Sequence, residues 1–187
     1  TTGFFKLYPV LEHTEKIRIL VGINTDPKIV ELTKVAEQTF QILSEVETIE
    51  NFSNVLASEL EASEDTSYVE KGIQKFINWI NSGKLEIRAY PRGKIHSKLY
   101  IFSFKEGDRD QGRIITGSSN FTASGLVDNL EFNVELKNNF DYQFAKTQFE
   151  KLWEDAVPLE EVYTETIKTK TWLNDQITPY QLYLKFL

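Results

Sequence analysis

The hydrophobic positions of this chain change period several times, and each change marks an element. Ile17 to Gly22 (IRILVG) is a branched apolar run closed by a glycine, which predicts a buried strand. Ahead of it a short helix is expected over Lys6 to His13, with Thr1 to Phe5 reading as a loop or strand end. From Asn24 to about Leu60 the spacing is helical: Ile29, Leu32, Val35, Ala36 and Phe40, then Val46, Ile49, Phe52, Leu56 and Leu60. Asp26 and Pro27 suit the N-cap and first turn of that segment. Glu61 to Ser67 is a polar break. A further helix runs to Asn81, with Val69, Ile73, Phe76, Ile77 and Ile80 on one face, and Ser82-Gly83 stops it.

The period then shortens to two. Strands are predicted at Leu85–Tyr90, Ile95–Phe104, Arg113–Thr116 and Glu131–Leu136. Lys105 to Gly112 (KEGDRDQG) is a charged hairpin loop, and Asn120 to Leu126 a short helix or turn. Phe140 to Asp155 reads as an amphipathic helix through Phe144, Phe149 and Leu152. Strands interleaved with helices indicate an α/β protein, a mixed β-sheet sandwiched between helices.

Composition narrows the function classes. The chain has 187 residues, 41% hydrophobic and 26% charged, as in an ordinary globular domain. It contains no run of apolar residues long enough for a membrane span, so no membrane partner is expected. The absence of cysteine removes thiol catalysis and cysteine-based zinc sites, and is compatible with a cytoplasmic location. The net charge of -7 argues against a surface that grips nucleic acid unaided. The charge is uneven, however. Lys84, Arg88, Arg92, Lys94 and Lys98 face only Glu86 between positions 84 and 98, so Arg92 and Lys94 are candidates for a local nucleic-acid-binding rim.

The chemistry concentrates between Lys94 and Leu136. His96 and Lys98, two residues apart on a predicted strand, project to one side. Imidazole can attack phosphorus or protonate a leaving oxygen near neutral pH, and an ammonium can neutralise phosphoryl oxygens. The turn Gly117-Ser118-Ser119-Asn120 offers a hydroxyl, an amide and backbone N–H groups as an anion nest, with Ser118 and Asn120 as phosphate ligands beside Lys98. Glu131 can accept from one ring nitrogen of His96 and fix its tautomer.

At these residues the chain resembles the phospholipase D superfamily, whose signature is H-x-K followed by G-S-x-N. Here the signature reads His96-Ser97-Lys98 and Gly117-Ser118-Ser119-Asn120. The continuation N-F-T-A-S-G-L-V-D-N-L-E, Asn120 to Glu131, is similar to the nuclease-type branch, in which a Glu at this distance orients the catalytic His. One position departs: the family motif has an Asp five residues after the Lys, and this chain has Ser103. The resemblance implies a metal-independent reaction without cofactor, with His96, Lys98, Asn120 and Glu131 as the catalytic set. It also implies two His-Lys pairs per site, one His forming a phosphohistidine and the other protonating the leaving group. This chain has one pair, and His13 lacks the Lys and the G-S-x-N that would make a second. A symmetric homodimer with Asn120 and Glu131 at the seam is therefore expected.

The closing T-P-Y-Q-L-Y-L-K-F-L resembles the joint at which bacterial proteins fuse such a domain to a helicase. Residues 1–157 are accordingly read as the phospholipase D-like domain, and 158–187 as a linker and the start of a following, helicase-type domain. The expected partners are DNA or RNA, a second copy of the chain and that C-terminal domain. Two alternatives are a catalytically impaired DNA-positioning module, with Ser103 marking decay, and a lipid phosphodiesterase or phosphatidyltransferase.

Overall fold

The computed structural model of the chain describes residues 2–22, 53–54, 58, 67–90 and 95–159. Apart from residues 53, 54 and 58, which are helical, the expected long helical region from Asn24 to Leu60 lies outside the described residues. So do the candidate rim residues Arg92 and Lys94 and positions 160–187 of the expected linker. The first two linker residues instead join the fold, Pro158 pairing with Arg88 and Leu159 buried with its N–H donated to the Ile87 carbonyl.

Described elements run in the order α1 (Thr2–Leu11), β1 (Ile17–Gly22), α2 (Ser67–Asn81), β2 (Leu85–Tyr90), β3 (Leu99–Ser103) and β4 (Gly112–Gly117). A π-helical turn at Ser124–Asp128 follows, then β5 (Asn133–Leu136), α3 (Asn139–Glu154) and the short β6 (Val157–Pro158). The mixed α/β class holds, with the strands shared between two small sheets. In the first, β1 pairs parallel with β2 from Ile17↔Leu85 to Gly22↔Tyr90, and β6 pairs antiparallel with β2. In the second, β3, β4 and β5 form an antiparallel meander in that order.

The first helix starts earlier than its apolar spacing suggests, at Thr2 instead of Lys6. Its aromatic residues explain this. Phe4, Phe5 and Tyr8 are all buried, and Phe4 stacks edge-on against Phe76 and Trp79 of α2. Burying such rings is worth several kcal/mol in total, more than the helix propensity of the segment. Pro9 sits inside α1 and cannot donate to the Phe5 carbonyl, but the Tyr68 hydroxyl from α2 donates to that oxygen at 2.8 Å. The helix keeps its proline because a side chain replaces the missing donor.

α2 buries Ile73, Phe76 and Ile80 of the predicted face, leaves Ile77 half-buried and adds Trp79. It ends at Asn81, and Gly83 just beyond has the positive φ of 69° that suits a helix stop. Together α1 and α2 cover the face of the first sheet formed by Leu85, Ile87 and Ala89, all buried, with Ile17, Ile19 and Val21 beside them. Alternation along β1 and β2 sends Arg18 and Arg88 to the opposite face.

There they meet α3. Arg18 donates to both carboxylate oxygens of Glu150 at 2.7 and 2.5 Å and lies over the Phe149 and Trp153 rings. Arg88 lies 4.7 Å from the Trp153 ring centroid and donates to the Trp153 carbonyl. The other end of α3 covers the second sheet, where Tyr142 and Ala145 bury against Ile114 and Ile101. Tyr142, Ala145, Phe149 and Trp153 thus form the inward line of the helix. Phe144, expected on that line, is exposed with Phe140, because positions 140 and 144 fall about half a turn away from 142 and 145. Asn138 caps α3 by accepting from the Phe140 N–H.

Candidate active site

The site residues gather at one end of the meander. Cross-strand pairing of Tyr100 with Ile115 and Glu135, and of Leu99 with Thr116 and Val134, defines the two faces of this sheet. Even-numbered positions leading into β3 and odd-numbered positions leading into β5 share the face away from α3. Tyr100 and Asn133 belong to that face, and His96, Lys98 and Glu131 lie on the segments that lead into them.

β3 begins at Leu99, later than the predicted Ile95, so His96 and Lys98 stand on an irregular lead-in. Ile95 crosses the end of β1 at Gly22, where a side-chain Cβ would come within 2.9 Å of Ile95 atoms. The lead-in is held to β4 by the Thr116 hydroxyl, which donates to the Lys98 carbonyl at 3.0 Å. His96 and Lys98 still converge. Lys98 Nζ donates to the His96 carbonyl at 3.0 Å and lies 3.4 Å from His96 Nδ1. His96 is exposed and Lys98 half-buried.

Glu131 does not open β5; the strand starts at Asn133. Its carboxylate is held below the usual range by hydrogen bonds from the Ser118 hydroxyl and the Asn129 amide, with the Lys98 charge adding to the effect. Asn129 Nδ2 donates to Glu131 Oε1 at 3.2 Å. No hydrogen bond joins Glu131 to His96 among the described residues.

The Gly117–Asn120 turn departs from the expected anion nest. The Ser118 N–H donates to the Phe132 carbonyl at 3.1 Å and the Ser119 N–H to Asn133 Oδ1 at 3.4 Å. A nest also needs a left-handed residue, and positive φ among the described residues occurs only at Gly83 and Gly107. Gly117 is required for another reason: a Cβ there would come within 2.1 Å of the Phe132 carbonyl oxygen. The Ser118 hydroxyl accepts from the Phe132 N–H at 3.0 Å and serves Glu131, so it too is occupied. Asn120 remains exposed, and no hydrogen bond engages its side-chain amide among the described residues. The groups open to an anion are therefore the His96 imidazole, the Lys98 ammonium and the Asn120 amide.

Ser103, at the position of the family Asp, lies at the far end of β3, roughly 16 Å along the strand from Lys98 at ~3.3 Å per residue. Its hydroxyl accepts from Tyr142 of α3 at 2.8 Å. This is a contact between sheet and helix, remote from the imidazole. Ser103→Asp is therefore expected to leave any cleavage rate within about twofold and to shift stability by about 1 kcal/mol or less, read by thermal melting. A tenfold change in rate would show that the far end of β3 governs the site.

Two features escaped the sequence reading. Tyr100 donates to the Ser119 carbonyl at 3.0 Å, and burial, with the Glu131 charge second, pushes its phenol up. Asn133 donates to the Ser119 hydroxyl at 2.7 Å. The strand pattern placed both residues, but nothing in it signalled a shared partner. A third feature is apolar: Val127, Leu130 and Phe132, flanking Glu131 in sequence, are 62%, 106% and 77% exposed.

No helix among the described residues is long and apolar enough to cross a membrane. No curated protein and no solved structure matches the chain. The family described as "Cardiolipin synthase, PLD-like domain" matches residues 10–153, well over half of the sequence, and spans every site residue named above. An imidazole and an ammonium in contact, followed by G-S-x-N at the end of the next strand, agree with that match, and the chain belongs to the phospholipase D-like superfamily.

Proposed function

We propose that this chain is one half of a metal-independent phosphodiesterase that cuts DNA through a phosphohistidine, completed when two copies meet across a two-fold axis. The observation that carries the reading is the meeting of His96 and Lys98, with the Lys98 charge reaching the ionised Glu131. In the proposed cycle His96 Nε2 of one copy attacks phosphorus, and the bond to the leaving oxygen breaks as the second copy's imidazolium gives up its proton. That second imidazole, now neutral, removes a proton from water, and the oxygen attacks phosphorus, releasing the phosphate and the first histidine. Lys98 and Asn120 of both copies take the charge on the non-bridging oxygens.

Tautomer chemistry favours assembly. An ammonium only donates, so a Lys98 hydrogen bond to Nδ1, 3.4 Å away, goes with the tautomer that carries its proton on Nε2. Attack by Nε2 needs the other tautomer, with the Nδ1 proton given to an acceptor such as a carboxylate. Glu131 is charged and nearby but occupied by Ser118 and Asn129, and the seam between two copies is where it would be redirected. The exposed Val127, Leu130 and Phe132 supply the apolar rim such a seam needs.

DNA is favoured as substrate by the spacing of Asn120 and Glu131, and a helicase-type neighbour would supply the grip that a net charge of -7 denies this chain. The family description favours a second reading, transfer or hydrolysis at a lipid phosphodiester. The test offers labelled DNA, single- and double-stranded, and phosphatidylglycerol vesicles to the protein in excess EDTA. DNA cleavage with the lipid untouched is the expected result. Lipid turnover with intact DNA would move the assignment to the second reading, and activity that disappears with EDTA would overturn the metal-independent cycle.

A further inference from the structure

We infer that Tyr100 and Asn133 are positioning residues, a two-sided clasp on Ser119 that fixes the phosphate-binding turn between the His-Lys segment and the Glu131 segment. The inference rests on the half-site reading above and extends it to residues outside the signature. Ser119 occupies the position that the G-S-x-N pattern leaves free, yet it is 5% exposed, while Ser118 and Asn120 on either side are exposed. Each polar group of Ser119 has a side-chain partner. Its carbonyl accepts from the Tyr100 hydroxyl at 3.0 Å, its hydroxyl accepts from Asn133 Nδ2 at 2.7 Å, and its N–H donates to Asn133 Oδ1 at 3.4 Å.

The two partners come from different strands. Tyr100 is the second residue of β3, two positions after Lys98, and its ring rests at 6.3 Å from that of Phe121 on the far side of the turn. Asn133 opens β5, two positions after Glu131, and pairs in register with Gly117. One buried serine therefore joins the segment that carries the nucleophile, the turn that carries Asn120 and the segment that carries the carboxylate. Ser119 is buried, Tyr100 half-buried and Asn133 exposed, so the serine is the fixed centre of the network, and an ångström of misplacement there costs catalysis far more than it costs stability. The turn has no nest geometry of its own; beside the Ser118–Phe132 hydrogen bonds and the Thr122 N–H on the Asn120 carbonyl, this clasp is the side-chain contribution that aims Asn120 at a phosphoryl oxygen.

The test uses hydrolysis of bis(p-nitrophenyl) phosphate and inhibition by orthovanadate, a stand-in for the five-coordinate phosphorus, with the whole chain. Tyr100→Phe removes one hydroxyl and keeps the ring on Phe121, so its thermal midpoint stays within a few degrees of wild type. Its vanadate affinity is expected to fall about tenfold, and that of Asn133→Ala at least as much. The decisive arm adds Tyr100→Phe to Asn120→Ala. If the clasp acts by aiming Asn120, the second change costs no further vanadate affinity once that amide is gone, whereas a general structural effect adds in full. Additive losses, or folded single variants with wild-type affinity, would overturn the clasp while leaving the half-site reading in place. A wild-type protein that neither hydrolyses the ester nor binds vanadate would instead overturn the half-site reading, and the clasp with it.

Discussion

His96→Ala is expected to lower phosphodiester cleavage by on the order of 10⁴-fold, because it removes both the nucleophile and the acid of the proposed cycle. The fold should not notice. The imidazole is exposed, it joins neither apolar cluster, and its contact is with Lys98 two residues away. Circular dichroism and the thermal midpoint of the variant should therefore match wild type, which separates lost chemistry from lost structure. Lys98→Ala should fall by a smaller factor, about 10²-fold, since it removes charge stabilisation and leaves the nucleophile. If His96→Ala retained more than a tenth of the wild-type rate, the histidine could not be forming the covalent intermediate.

The second large effect concerns assembly. Leu130→Asp places a carboxylate on the fully exposed apolar side chain beside Glu131, and should convert a dimer to monomers with about a 10²-fold loss of cleavage. Sedimentation velocity reads the assembly and the cleavage assay reads its consequence. A mixing experiment makes the same claim without a seam mutation. After exchange of equal amounts of wild type and His96→Ala, random pairing leaves about a quarter of the activity of the same total concentration of wild type. Independent protomers would leave about half. A value near one half would refute the shared site however the protein sediments.

How much of this could be read from the sequence depended on whether local pattern or a distant partner decided the matter. β1 appears with its predicted ends because branched residues and a closing glycine are local signals. The end of α2 at Asn81 and the bounds of α3, within a residue, follow from capping residues and period. The first helix begins before its local spacing predicts because Phe4 packs on Phe76 and Trp79, some seventy residues away, in a core that also takes in Phe5 and Tyr8. The strand through His96 is shorter than its pattern predicts for a similar reason: ladder bonds need a neighbouring backbone, and from the described strands the lead-in has only the Thr116 hydroxyl of β4 on its Lys98 carbonyl.

The same division holds in the site. The contact of His96 with Lys98 was legible because the two residues stand two apart, whereas the parts given to Asn120 and Glu131 rest on their order in the signature. The nest expected of the Gly117 turn was not realised, since Phe132 and Asn133 take the N–H groups of Ser118 and Ser119 from across a strand pair. The roles of Tyr100 and Asn133 have no signature at all, because a tyrosine and an asparagine on strands are ordinary residues until they share a partner.

The reach of α3 has a consequence for how the molecule comes apart. A three-stranded sheet with one poorly covered face is marginal on its own, and here both sheets lean on the same sixteen-residue helix. Arg18 and Arg88 grip its C-terminal half and Ile114 its N-terminal half, so undocking the helix exposes both sheets at once. Although the first sheet also has its own core under α1 and α2, the opening of the two sheets is expected to be linked through this helix. Amide protons in β1, β2, β4 and α3 should exchange by a single shared opening, and a substitution at Trp153 would be felt by the protons of Ile114.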